Sequence, residues 1–171
     1  MMKALKEFVI PFVGLKEGIH DYAFDIDARF FESFENSEII RADVHVDVSL
    51  ERQERMLIFN FTTRGTLVLS CDRCLGELEM PVEGTDGLIV KFGQEYEEES
   101  DEIIVIPEKE SHIDISTYIF EYIMLKLPIQ RVHPEGEGLC DPEVISKLNE
   151  HRETERDPRW AALEQLRNKT E

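Results

Sequence analysis

The 171-residue sequence has few positive charges and few cysteines. Nineteen lysines and arginines stand against 37 acidic residues, which gives a formal net charge of −18 and a pI near 4.6. A surface this acidic repels phosphate groups, so broad nucleic-acid binding through the chain's own surface is disfavoured. Such a surface suits a basic partner. It also keeps a protein in solution, which is the commoner role of acidic surfaces.

Long apolar runs are missing as well. The N-terminal stretch MMKALKEFVIPFVGLKEG is apolar in part, but Pro11 interrupts it and charged residues follow at once. It has neither the apolar core nor the cleavage site of a signal peptide, and no run approaches membrane-spanning length. We therefore expect a cytoplasmic protein without membrane contact. Three cysteines in a reducing compartment are not expected to form structural disulfides, and their odd number agrees with this.

Common catalytic signatures are also absent. The sequence contains no G-x-S-x-G, G-x-x-x-x-G-K-[ST], G-x-G-x-x-G or H-E-x-x-H motif. Carboxylates are abundant, but nothing in the sequence selects a pair of them for acid–base catalysis. We therefore expect neither an enzyme nor a small-molecule substrate.

The first 92 residues are dominated by strand-like patterns. Val44, Val46 and Val48 alternate with polar residues, and Pro11 marks the first strand as an edge strand. The stretch ERMLIFNFTTRGTLVLSC is interpreted as two strands joined near residues 63–65. Five or six short strands at close spacing predict an α+β fold, with a mainly antiparallel sheet or barrel-like N-terminal part and C-terminal helices.

The chain is divided into a single α+β domain, residues 1–140, and a helical C-terminal extension, residues 141–171. The predicted parts of the domain are strands in 1–92, an acidic loop at 94–102, a helix near 114–127 and a Pro/Gly-rich loop at 128–140.

The sequence HIDISTYIFEYIMLKLP is predicted to form the buried helix of this domain. Asp114 or Ser116 can cap it, Leu125 belongs to its apolar face, and Pro128 ends it. In the extension, Asp157 can cap a last helix.

Six acidic residues crowd the segment 94–102. Such a run is typical of a solvated, mobile loop, and a more specific interpretation is a docking site for a basic partner. The pattern of a calcium-binding loop is missing. The residues predicted to bind a partner here are Glu95, Glu97, Glu98, Glu99, Asp101 and Glu102.

The stretch LVLSCDRCLGELEMPV places Cys71 and Cys74 between two strand-like segments. A thioredoxin-like pair begins a helix, so these flanks argue against a redox role. A zinc knuckle holds C-x-x-C in a tight turn and needs two more ligands, for which His133 and Cys140 are the candidates. That second half is longer than usual and lies roughly 60 residues away, so the fold must bring the halves together. The alternative is two reduced thiols in a turn, an isolated histidine and a buried Cys140.

Four pieces of sequence occur in an order and spacing that cover nearly the whole chain: LKEGIHDYAFDIDARFF, CDRCLGELEMPVEG, LKLPIQRVHPEGEGLC and DPRWAALEQL. Together they resemble the bacterial YceD family, the large ribosomal RNA subunit accumulation proteins. Many relatives carry further C-x-x-C pairs after the L-P element, where this sequence has only His133 and Cys140. The resemblance implies a non-enzymatic role in the accumulation of large-subunit ribosomal RNA, and hence in ribosome biogenesis. For this role we expect a basic ribosomal protein or a ribosomal RNA precursor as partner.

Two kinds of binding are compatible with this role. In the first, the acidic surface shields a basic ribosomal protein until it meets ribosomal RNA. In the second, a zinc knuckle and the C-terminal helix contact RNA, with Trp160 stacking on a base, although Trp160 also fits a core anchor for that helix. The arginines available for phosphate contacts are Arg73, Arg131, Arg152, Arg156, Arg159 and Arg167. An RNA-processing enzyme is a third alternative, but a closed Cys₃His site has no open metal position.

Overall fold

The structure is a computed structural model that describes residues 6–34, 38–134 and 140–152. The strands are β1 (Val9–Pro11), β2 (Gly18–Ile26), β3 (Ile39–Arg52), β4 (Met56–Ser70), β5 (Glu77–Gly93), β6 (Glu97–Ser100), β7 (Ile103–Pro107) and β8 (His112–Asp114). The helices are α1 (Ala28–Glu32), α2 (Ser116–Leu125) and α3 (Pro142–Arg152), and a 3₁₀ turn (Lys6–Phe8) precedes β1.

A six-stranded sheet in the order β2-β3-β4-β5-β7-β6 forms the body of the protein. Strands β2 to β5 are an antiparallel meander, and β5 and β7 run parallel. Because β2 and β6 are its two edges, the sheet is open and does not close into a barrel. The expected α+β class, with a mainly antiparallel sheet in the N-terminal part and helices toward the C-terminus, is confirmed.

Strand β4 is one continuous strand of 15 residues, so the predicted break near residues 63–65 is wrong. Gly65 suggested a turn, but in the structure it pairs with Val44 on one side and Val82 on the other. Its α-carbon lies so close to the β3 backbone that an added Cβ would be 2.5 Å from Val44 Cα. The glycine therefore permits a close approach of two strands, where the sequence suggested a reversal of the chain.

The acidic segment is also more regular than predicted. Glu97–Ser100 is the edge strand β6, which pairs antiparallel with β7, whereas residues 94–102 were expected to be a loop. Every residue of β6 is exposed, and Glu99 forms an ion pair with Lys91 of β5. Acidic side chains suit an exposed edge strand, because their charges hinder unwanted pairing with other strands.

The core lies on one face of the sheet and follows the predicted alternation. Val44, Val46 and Val48 are buried in one continuous apolar cluster, which includes the phenylalanines of α1. The short sheet of β1 and β8 adds Ile10 and Ile113 to this cluster. The edge position predicted for Pro11 agrees with the structure, since β1 pairs only with β8 in the part of the chain that is described.

Helix α2 packs on the core face but begins later than predicted, because His112–Asp114 is strand β8. The Asp114 carboxylate accepts a hydrogen bond from the Ser116 N–H at 2.9 Å, close to the capping role expected of it. Tyr122 is buried and its hydroxyl donates to the Gly87 carbonyl at 3.1 Å, which fastens the helix to β5. Leu125 is 77% exposed, so its assignment to the apolar face is wrong. No helix within the described ranges is long and apolar enough to cross a membrane.

The opposite face of the sheet carries a histidine between two carboxylates. His45 Nδ1 lies 2.6 Å from Asp25 Oδ1, and its Nε2 lies 3.2 Å from Asp47 Oδ1. The hydrogen bond with Asp25 is the main cause that raises the pKa of His45 above 6.5, and Asp47 adds to it. Because the folded-state pKa is raised, the stabilisation from this contact is complete below pH 6.5 and is lost as the pH rises through that pKa.

Substitution of Asp25→Asn is therefore expected to lower the pKa of His45 towards its ordinary value, because the main partner of the charged ring is removed. An NMR titration of the imidazole resonances measures this directly. Asp21→Asn, on the same strand, is the matched control and is expected to leave the His45 titration unchanged. A wild-type His45 that titrates at or below 6.5 would contradict the network.

Candidate metal centre

A tight turn between β4 and β5 holds the C-x-x-C pair. The Cys71 N–H donates to the Gly76 carbonyl at 2.8 Å, and the Leu75 N–H donates to the Cys71 carbonyl at 2.9 Å. Leu75 has a φ of 60°, in the left-handed region, which lets the chain reverse within these few residues. Cys71 and Cys74 are therefore in a turn between two strands, as the zinc-knuckle interpretation requires, and no helix begins there.

The loop that follows α2 is fastened to this turn. The Asp72 N–H donates to the Arg131 carbonyl at 2.7 Å, and the Arg131 N–H donates to Asp72 Oδ2, also at 2.7 Å. The Arg131 guanidinium contacts Asp72 Oδ1 at 3.3 Å and Glu38 Oε2 at 2.7 Å. These bonds bring His133, two residues further on, over the C-x-x-C turn.

The four predicted ligands come together. The sulfurs of Cys71, Cys74 and Cys140 and a ring nitrogen of His133 all lie within 4.8 Å of one another. His133 Nδ1 is 3.5 Å from Cys74 Sγ and 3.4 Å from Cys140 Sγ. A tetrahedral zinc ion with ordinary bond lengths separates sulfur and nitrogen ligands by about 3.6 Å. The donor atoms are therefore placed so that they can hold a metal ion.

The orientation of the His133 ring suits this role. Its Nε2 lies 2.9 Å from the Glu77 carbonyl oxygen. Since a carbonyl only accepts, Nε2 carries the hydrogen, and in a neutral ring Nδ1 then presents its lone pair to the sulfurs. A backbone carbonyl that accepts from the second nitrogen is the usual way in which proteins orient a metal-binding histidine.

Two of the thiols have a pKa below the ordinary value of a cysteine. Burial of the Cys71 thiol raises its pKa, but N–H groups of Cys74, Arg73 and His133, together with the Cys74 side chain, outweigh burial and lower the pKa to about 6. The Cys74 pKa is lowered chiefly by the N–H groups of Asp141 and Gly76. Because the thiolate is the form that binds metals, the lowered pKa values favour metal binding by these two residues.

The centre is enclosed. Cys71, Cys74 and His133 are buried, and Cys140 is half-buried. A small apolar cluster surrounds the sulfurs, with Ile39, Leu69, Leu78, Met80, Leu127, Val132 and Val144 as its other members. In residues 6–34, 38–134 and 140–152 this is the one group of three or more histidine, cysteine or acidic side chains placed to hold a metal.

The other predicted binding residues differ in where they lie. Arg73 is half-buried in the C-x-x-C turn, whereas Arg156, Arg159 and Trp160 lie outside the described residues. The acidic residues follow the C-terminal end of β5, and roughly 40 Å of strand separates Glu77 from Ile89, where β7 begins to pair. Two roles were not predicted from the sequence: the hydrogen bonds of Asp72 to Arg131, and the Glu77 carbonyl as acceptor for His133. The aspartate within C-D-R-C could have indicated the first role, whereas a backbone carbonyl has no signature in the sequence.

The chain is similar to proteins of a known family. The model of the family described as "Large ribosomal RNA subunit accumulation protein YceD" matches residues 59–167, more than half of the chain. A Bacillus subtilis (strain 168) protein named "Uncharacterized protein YlbN" is 31% identical over 140 residues, which cover 77% of this chain and 78% of that protein. No solved structure matches. The chain belongs to the YceD family of large ribosomal RNA subunit accumulation proteins.

Proposed function

We propose that this protein is a non-enzymatic factor in the assembly of the large ribosomal subunit, and that zinc at its metal centre is structural. One observation carries the structural role: three cysteines and one histidine complete a four-ligand set inside an apolar cluster. A catalytic zinc keeps one position for water or substrate, whereas four protein ligands fill a tetrahedral ion. When bound, the metal would thus supply stability.

The chemistry of the ligands favours zinc. Thiolates are soft ligands and an imidazole suits several metals, so a site with three sulfurs and one nitrogen is typical of tetrahedral zinc. Cys71 and Cys74 would hold the ion from the β4–β5 turn, and His133 and Cys140 from the segment after α2. The ion would thereby join the C-terminal part of the chain to the sheet.

The charge distribution favours a basic protein over RNA as partner. The net charge of −18 gives long-range, salt-sensitive attraction for basic proteins. Two of the cations near the metal centre already have acidic partners: Arg131 lies between Glu38 and Asp72, and Arg41 binds Glu77 through two hydrogen bonds of 2.8 and 2.7 Å. Their positive charge is therefore already balanced by carboxylates, which weakens the case for phosphate contacts there.

Deletion of the gene from the organism that carries it tests the role. Cells without the protein are expected to contain less large-subunit ribosomal RNA relative to small-subunit ribosomal RNA. The ratio is measured on total RNA, and a plasmid copy of the wild-type gene is expected to restore it. A deletion strain in which the protein is undetectable and the ratio is normal would overturn the proposed function.

A further inference from the structure

A large groove lies between helix α2 and strands β6, β7 and β8, with parts of β4 and β5 as its floor; we name it the acidic groove. Its volume is about 1710 Å³. Pockets for small molecules usually occupy about 300–1,000 Å³, so the acidic groove is larger than a metabolite needs. Its size instead suits a polypeptide segment.

Tyrosines form one wall of the acidic groove. Tyr96 is 56% exposed, and its hydroxyl donates to Glu98 Oε1 at 2.8 Å. Tyr118 is half-buried and shares a hydrogen bond with Tyr96, and its ring centroid lies 6.5 Å from that of Tyr122. Aromatic rings beside carboxylates are favourable surroundings for arginine and lysine, which can stack on the ring while pairing with the acid.

The walls are negatively charged. Seven carboxylate residues line the acidic groove, and its lining includes no lysine or arginine from the described parts of the chain. Lys126, just beyond the lining, balances one of these charges through its ion pair with Asp86. Burial raises the pKa of Tyr122 to about 12, and the negative charges of Asp86, Glu121 and Glu102 contribute to this rise. The field inside the groove is therefore one that attracts cations.

We infer that the acidic groove binds an arginine- and lysine-rich segment of a partner protein and, resting on the proposed function, that this partner is a basic component of the large ribosomal subunit. Phosphate groups of RNA would meet the carboxylates of β6 and α2 at close range, which excludes RNA from this surface. A basic segment gains ion pairs at the rim and contacts with the rings of Tyr96 and Tyr118.

The test uses the full chain and a fluorescent 12-residue peptide of alternating arginine and glycine. The same peptide with citrulline in place of arginine is the uncharged control. Removal of two groove charges by Glu98→Gln with Glu121→Gln is expected to weaken peptide binding about tenfold, which corresponds to about 1.4 kcal/mol. The matched variant, Asp21→Asn with Asp43→Asn, removes equal charge from β2 and β3 and is expected to change the affinity less than twofold. Fluorescence anisotropy gives both dissociation constants, and thermal unfolding checks that both variants fold.

Equal weakening by the two variants would overturn the inference, because it would mean attraction to the acidic chain as a whole. Equal binding of the citrulline peptide would also overturn it, because it would mean that the positive charge of arginine is not recognised. A photo-reactive benzoylphenylalanine in place of Thr117, which lines the groove, is expected to crosslink to the arginine peptide. Crosslinks to residues 153–171 that persist at saturating peptide would overturn it in favour of the chain's own tail. The deletion strain can also be given a plasmid copy of the Glu98→Gln, Glu121→Gln variant. If deletion lowers the ribosomal RNA ratio and this variant restores it fully, the proposed function holds and the inference fails. If deletion leaves the ratio unchanged, the proposed function fails whatever the peptide does.

Discussion

Bound zinc is expected to fall from about one ion per chain to none when Cys74 is replaced by serine. A serine hydroxyl stays protonated near neutral pH and is not a zinc ligand of structural sites, so only three donors would remain. The Cys74 sulfur also lies 3.5 Å from His133 Nδ1, so the substitution removes a donor atom that directly neighbours the histidine nitrogen. At a zinc concentration of about 1,000 times the dissociation constant, binding adds about 4 kcal/mol to the stability of the folded state, which the variant would lose.

Elemental analysis and native mass spectrometry count the metal, and thermal unfolding with and without a chelator measures the stability. A second pair of variants separates ligand loss from general damage. His133→Gln is expected to behave like the Cys74 variant, whereas His20→Gln, whose ring nitrogen lies 2.8 Å from the Lys16 carbonyl oxygen, is expected to retain its zinc. Wild-type protein that is purified without metal, takes up no added zinc and is unaffected by chelator would contradict a structural zinc site.

The second large effect is expected from Gly65→Ala in β4, which should lower the free energy of unfolding by roughly 4 kcal/mol. An added Cβ would meet the Asp43 carbonyl oxygen and would lie 2.5 Å from Val44 Cα. Both groups belong to the backbone of the paired strand, so no side chain can turn away. Overpacking and backbone strain each cost about 1–3 kcal/mol, and here they act together.

Gly87→Ala is the matched control for this substitution. Gly87 lies in the neighbouring strand β5, and the contact that its added Cβ would make is with the Phe59 carbonyl oxygen at an ordinary 3.8 Å. Urea unfolding followed by circular dichroism gives both free energies. The control is expected to change stability by less than about 1 kcal/mol. A Gly65 variant as stable as the Gly87 variant would show that β3 can move away from β4, contrary to the close pairing described.

Local patterns predicted those parts of the fold that depend on local forces. The alternation around Val44–Val48 identified a strand and its buried face, because successive side chains of a strand point to opposite sides. Errors arose where the partner of a segment decides its conformation. Gly65 is compatible with a turn or with close strand pairing, and only β3 settles which. The acidic residues of β6 have low strand propensity, and pairing with β7 overrides it.

The candidate site likewise has local features, which the sequence predicted, and long-range features, which it did not. The spacing of Cys71 and Cys74 predicted a turn with two thiols, because that geometry is local. The proximity of His133 depends on the mutual bonds of Asp72 and Arg131, which lie 59 residues apart. The acidic groove could not be predicted either. It requires α2 to lie beside β6 and β7, so that Tyr96 and Tyr118 meet across a long separation in sequence.

The position of the four ligands along the chain has a consequence for protein synthesis. His133 follows Cys74 by 59 residues, so at about 5–20 residues per second it leaves the ribosome about 3–12 s later. The antiparallel meander β2–β5 is synthesised before then, so its strands can pair before His133 and Cys140 emerge. During this interval the thiols of Cys71 and Cys74 have no third or fourth ligand beside them. The proposed tetrahedral site can close only when Cys140 has emerged, so metal occupancy would distinguish a finished chain from a nascent one.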